Sequence, residues 1–191
     1  KSASYHGNAI DKRDFQFRLC DTMEDVKEGA NNLVLCWDDN VEITLGLPTD
    51  VSGAYALKSI DAAIEAAKNG KIHALLTAPI NKHNIASSVE GFSGHTGYLA
   101  KEFSNEVLMI LSSDELKVAT VTGHVPISKV ADGITEASIT KAIGLLAQSL
   151  ERDFGIVKPR IAVLGLNPHA GEMGTIGSEE KDVIRPAIEN A

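Results

Sequence analysis

Arg160–Gly174 reads RIAVLGLNPHAGEMG, and its first half sets the fold class. The run from Ile161 to Leu166 is apolar, has strand length, and stops at an Asn-Pro turn. A single histidine, His169, follows between Pro168 and Ala170-Gly171. A buried strand that delivers a titratable, metal-competent side chain at its exit is an arrangement of α/β folds, where rigid sheets carry functional loops.

The segments outward from it alternate in the same way. FQFRLC (15–20), NLVLCW (32–37) and VEITLG (41–46) read as strands, and IHALLTAPI (72–80) as a buried one. EVLMILSS and LKVATVTG are separated only by an acidic turn at Asp114-Glu115, a spacing that permits a hairpin. Two segments read as helices with clear ends. In the first, Ala56, Leu57, Ile60, Ala63, Ile64 and Ala67 share a face and Asn69-Gly70 supplies the stop. The second has Thr135 as N-cap, Ile139, Ile143, Leu146 and Leu150 inside, and Gly155 beyond the end. SEEKDVIRPAIE opens a further helix with two acids in its first turn. The expected class is α/β, a mixed and mostly parallel sheet flanked by helices. No repeat, low-complexity tract or linker interrupts the chain, so residues 1–191 read as one continuous unit.

Composition narrows the function classes. At 191 residues, 43% hydrophobic and 23% charged, the chain can build a sizeable core. No apolar stretch reaches the roughly 20 residues of a membrane span, and no signal peptide is expected from the residues that open the chain. The formal net charge of −8 argues against nucleic acid or an anionic membrane as main partner. It leaves room for a small phosphorylated ligand, which helix N-termini and one or two cations can hold. Cys20 and Cys36 lack CxxC spacing and are flanked by strand-like residues; both are expected to be buried, reduced thiols, in keeping with a cytoplasmic protein.

Three of the six histidines share a setting. His95 lies in GFSGHTGYLA, a glycine-bracketed loop leading into a short helix; His124 follows a strand in VATVTGHVPI; His169 follows another. Pro126 and Pro168 each freeze a backbone dihedral close to one of the latter two, which lowers the entropy lost on ordering them around an ion. Residue pattern alone leaves three readings: imidazoles bonded to loop carbonyls, a two-histidine metal site, or acid–base groups. Two histidines are an incomplete set, since catalytic zinc usually takes three protein ligands. His6, His73 and His83 have no special setting. Lys82, after the end of a strand, is either solvated or a contact for a phosphate or carboxylate, and Glu172 and Asp182 are either solvated or acceptors for an imidazole N–H. Neither a G-x-G-x-x-G fingerprint after a strand nor a G-x-S-x-G elbow is present.

The stretches LLTAPINKHNI, FSGHTGYLA, VATVTGHVPISKVADGIT and RIAVLGLNPHAGEMGTIGSEEKDVIRPAIE closely resemble the 4-hydroxythreonine-4-phosphate dehydrogenase family of vitamin B6 biosynthesis. The likeness runs from about Ser52 to the end; GLNPHAGE with the following G-S-E-E-x-D-x-I-x-P is its most specific part. The resemblance implies a two-domain fold like that of isocitrate and isopropylmalate dehydrogenases, and a homodimer with the active site at the subunit interface. It implies NAD-dependent oxidation of 4-phosphooxy-L-threonine and decarboxylation of the product to 3-amino-2-oxopropyl phosphate. A divalent metal (Zn, Mg or Co) is implied, held by three histidines drawn from both subunits. By motif match, His124 and His169 take two of those ligand positions, and His95 and Thr96 take those of a substrate-contacting pair. The family is longer at both ends. On this reading the chain is the central part of such an enzyme, expected to be inactive alone, with the third metal histidine and the NAD-binding residues outside it. A sister dehydrogenase using a related phosphorylated hydroxy acid, such as threonate 4-phosphate, and a catalytically incomplete binding module are the alternatives.

Overall fold

The computed structural model describes residues 16–42, 44, 46–86, 89, 92, 94–104 and 106–191. His6, and parts of the expected strands at 15–20 and 41–46, lie outside the described residues. The chain divides into two compact units, Lys1–Asn105 and Glu106–Ala191. No Pro-, Gly- or Ser-rich linker marks that boundary in the sequence, which is why the chain reads there as continuous.

In the first unit, strands β1 (Arg18–Cys20) and β2 (Asn32–Val34) pair in parallel, with Leu19 opposite Leu33. Helix α1 (Asp50–Lys68) begins at Thr49, whose hydroxyl accepts the Ser52 N–H at 3.1 Å while Ser52 Oγ accepts the Thr49 N–H at 3.2 Å. It ends as its sequence dictates: Gly70 takes a positive φ of 67° and the Lys71 N–H closes back on the Ala66 carbonyl at 2.8 Å. Ile60 and Ile64 are buried on the face that the apolar spacing marks. Helix α2 (Lys82–Ala86) packs on α1 where Gly53 meets the backbone of Asn84, an approach so close that a Cβ at Gly53 would stand 2.3 Å from the Asn84 carbonyl oxygen. Helix α3 (His95–Phe103) is tied to α1 by Tyr98 Oη donating to Asp61 at 2.7 Å and by the Lys68–Glu102 pair at 3.0 Å.

In the second unit, β3 (Ile110–Ser112) and β4 (Lys117–Ala119) form the antiparallel hairpin that the acidic turn permits, with Leu111 opposite Val118. The parallel pair and this hairpin make an α/β fold with mixed pairing. Helix α4 (Glu136–Arg152) starts at Thr135 and buries Ile139, Leu146 and Leu150. Ile139, Ile184 and Ala187 form the core, with Ile134, Ile143, Val163, Leu166 and Val183 packed against them. The last helix is not a plain α-helix. Glu180–Ile184 is a π turn running into α5 (Arg185–Glu189), because Pro186 has no N–H to give the carbonyl of Asp182 and the hydrogen-bond ladder steps wider there.

Three expectations need correction. Residues 72–80 and 160–166 carry no ladder among the described residues, and Leu76 and Leu164 are 98% and 83% exposed where burial was expected. A strand forms only where a neighbour exchanges N–H···O=C bonds with it, and none of the described segments does so with these two. Cys20 is buried as expected, but Cys36 is exposed, since β2 ends two residues before it; both thiols are free.

Candidate functional site

The loop after Leu166 is built on an unusual backbone. His169, Ala170, Gly171, Glu172, Met173 and Gly174 all have positive φ, between 45° and 98°, so the chain winds as a left-handed turn from His169 to Gly174. Left-handed geometry costs an L-residue roughly 1–2 kcal/mol, and only glycine escapes the penalty. Such a run persists only where its surroundings over-determine it.

Glu180 supplies much of that constraint. Its Oε1 accepts the N–H groups of Leu166 at 2.7 Å and Asn167 at 2.6 Å, and its Oε2 accepts the Asn167 side-chain amide at 3.0 Å. Glu179 Oε2 takes the same amide at 2.7 Å. The Asn167 side chain, then the backbone N–H groups of Asn167 and Leu166, hold the Glu180 carboxyl below the usual glutamate range. Gly171 is buried against this carboxylate; a Cβ there would stand 2.3 Å from the Gly177 carbonyl and 2.8 Å from Glu180 Oε2.

His124 leaves β4 through Thr120–Gly123. Val121 and Thr122 on that side, and Val163–Leu166 on the other, line one open cavity of about 170 Å³, together with Ile134, Ile139 and Ile184. The two segments that deliver His124 and His169 therefore run beside a common space in one unit. Gly133 lets the Thr122 segment approach, since a Cβ on it would lie 2.8 Å from the Thr122 methyl. Both imidazoles are exposed, and among the described residues neither is tied up in a hydrogen bond to protein. Two open imidazoles suit a transition-metal ion. Among the described residues no group of three or more His, Cys, Asp or Glu side chains stands ready to hold one.

In the first unit, His95 and Thr96 open α3 behind Gly94, which has φ 107° and offers no side-chain cap, so the first N–H groups of the helix keep their donor capacity. Lys82 lies against this end: a Cβ built on Gly94 would be 3.0 Å from its Cε and 3.4 Å from its Nζ. The structure thus places Lys82 beside Gly94, at the end of α3 that His95 and Thr96 open. His73 and His83 are exposed. Glu172 and Asp182, weighed as acceptors for an imidazole, are exposed as well. The carboxylates that do engage this loop are Glu179 and, on its backbone, Glu180, which the sequence presents only as acids opening a helix. The signal available was their apolar neighbourhood, Val183-Ile184, which places one of the two acids over the core.

The profile of the family described as pyridoxal phosphate biosynthetic protein PdxA matches residues 3–191. The chain belongs to the PdxA family. A 4-hydroxythreonine-4-phosphate dehydrogenase of Bacteroides thetaiotaomicron is 40% identical over 190 residues, 98% of this chain and 52% of the relative. One from Chromobacterium violaceum is 45% identical over 139 residues, 72% of this chain and 42% of the relative. Among solved structures, the Klebsiella pneumoniae enzyme of that name superposes with a TM-score of 0.76 at 31% identity, covering 92% of this chain and 55% of that one. The Burkholderia phymatum enzyme gives 0.78 at 30% identity, covering 97% and 57%. This PdxA chain spans about half the length of the curated relatives it matches. No helix among the described residues is long and apolar enough to cross a membrane.

Proposed function

We propose that the chain is part of a cytoplasmic, homodimeric dehydrogenase that oxidises 4-phosphooxy-L-threonine with NAD, the product decarboxylating to 3-amino-2-oxopropyl phosphate for pyridoxal phosphate synthesis. The observation that carries this reading is the 40% identity, across 98% of the chain, to a relative named for that substrate.

Within it, His124 and His169 would hold a divalent cation (Zn, Mg or Co) together with a ligand from outside this chain. When bound, the cation supplies Lewis acidity toward the substrate's secondary hydroxyl, and NAD supplies the hydride acceptor. The chain's own contribution is placement. The left-handed turn and Pro168 fix where His169 presents its ring, and Pro126 stiffens the exit beside His124. His95 and Thr96, with the open N–H groups of α3 and the Lys82 ammonium beside them, offer donors to the polar groups of a phosphorylated substrate.

The test is His169→Ala in the full-length protein, with NADH formation from 4-phosphooxy-L-threonine followed in metal-buffered solution. Turnover should fall by orders of magnitude while the circular dichroism spectrum is kept; wild-type turnover would remove the role. Offering threonate 4-phosphate in parallel separates this enzyme from a sister dehydrogenase, because only the aminated substrate yields 3-amino-2-oxopropyl phosphate.

A further inference from the structure

We infer that Glu180 is a positioning residue for the metal-binding histidine: its carboxylate anchors the chain at Leu166 and Asn167 and so holds the left-handed His169–Gly174 turn that aims His169. The inference rests on the reading of His169 as a metal ligand.

Three observations carry it. Six successive residues, His169 to Gly174, sit at positive φ, four of them neither glycine nor asparagine, so local preference works against the turn. The backbone bonds that close its two ends are longer: Ala170 N–H to the Asn167 carbonyl at 3.2 Å, Thr175 N–H to Glu172 and Ile176 N–H to Gly171, both at 3.1 Å. The short bonds come from Glu180, at 2.6 and 2.7 Å, to the two peptide groups immediately before the turn. This carboxylate is only 9% exposed and forms no ion pair among the described residues. Its oxygens are spent on Leu166, Asn167 and the space beside Gly171. A buried carboxylate with no cation is costly unless N–H donors satisfy it, so the carboxylate and the turn stabilise each other. Glu180 also belongs to the segment whose Ile184 and Ala187 form the unit's core, which makes it a rigid anchor for the loop.

A carboxylate that only stabilised the fold would change melting temperature and leave the ion's surroundings alone. A positioning residue changes how tightly, and in what geometry, the ion is held. The experiment titrates Co(II) into the metal-free full-length protein, reading affinity by chelator competition and geometry by the visible absorption bands of bound cobalt. Glu180→Ala should weaken Co(II) binding roughly ten- to a hundredfold, the range for groups that orient metal ligands, and shift the bands. Glu180→Gln keeps one oxygen for the two peptide N–H groups and should recover most of the affinity. Gly171→Ala displaces the turn with the carboxylate intact and should reproduce the loss; with Glu180→Gln it carries the test if Glu180→Ala does not fold. Wild-type affinity and spectrum in Glu180→Ala and Gly171→Ala, while His169→Ala loses the ion, would overturn the positioning role alone. Undiminished binding by His169→Ala would overturn the metal reading, and the positioning role with it.

Discussion

The carboxylate of Glu180 clasps Asn167 twice, taking its peptide N–H on one oxygen at 2.6 Å and its side-chain amide on the other at 3.0 Å. Through this clasp the exit of the 160–166 segment is fastened to the helix that follows the loop, and the residues between have little freedom left. The left-handed turn is then a consequence of tertiary fastening and not of local preference.

The clasp has a pH signature. The Glu180 carboxyl is held below the usual glutamate range by the Asn167 amide and the peptide N–H groups. A depressed folded-state value means the ionised form is favoured by folding. The contribution is therefore fully present above the unfolded value, near pH ~4.3, and is lost as pH falls through the lower folded value. Thermal melts between pH 7 and pH 3 should show wild-type stability dropping toward that of Glu180→Gln, the two curves converging at the acid end. Parallel curves across the whole range would refute the assignment.

A second prediction concerns Gly53, near the start of α1. Helix propensity alone favours alanine over glycine by about 1 kcal/mol. Here the added methyl would lie 2.3 Å from the Asn84 carbonyl oxygen, and that oxygen belongs to the backbone of α2, which has no rotamer to yield. Overpacking of this kind costs about 1–3 kcal/mol or more, so the clash wins. Gly53→Ala should lower stability in urea unfolding, and a gain would show that α2 can slide away.

The contrast between α1 and the 72–80 segment shows what the sequence could reveal. Thr135, Asn69-Gly70 and Gly155 act within a few residues of themselves, so these helix ends were readable from composition and spacing. The hairpin at Asp114-Glu115 was readable for the same reason. IHALLTAPI has the composition of a strand, but a ladder depends on a distant partner that no local pattern names. The site divides likewise. His95, Thr96, His124 and His169 stand out by their glycine and proline neighbours and by the family resemblance. Glu180 does not, because its acceptor role exists only once Asn167 has been turned toward it.

The N-cap of α4 carries a third prediction. Thr135 Oγ1 accepts the Ser138 N–H at 3.1 Å, and Ser138 Oγ accepts the Thr135 N–H at 3.0 Å, leaving two helix-start donors satisfied. Thr135→Ala removes the first bond and should cost about 1 kcal/mol in urea unfolding, while Thr135→Ser should stay close to wild type. Equal losses in the two variants would point to the lost methyl group and not to the cap.

Tyr98 supplies the last test, and it reports on the helix that opens with His95. Burial first, then the hydrogen bond to Asp61 and the charges of Asp61 and Glu102, push its phenol up to about 12. Because the neutral phenol is the form that folding favours, the linkage contribution is intact below the unfolded value near pH ~10 and fades as pH rises toward 12. The difference between ultraviolet titrations of the wild type and Tyr98→Phe isolates this one phenol from Tyr55, whose own ionisation is raised by Asp39. A difference curve centred near 12 fits a phenol clamped between α3 and α1. A midpoint near 10 would mean that the Tyr98–Asp61 bond does not hold in solution, and that α3 is free to shift the His95-Thr96 pair relative to Lys82.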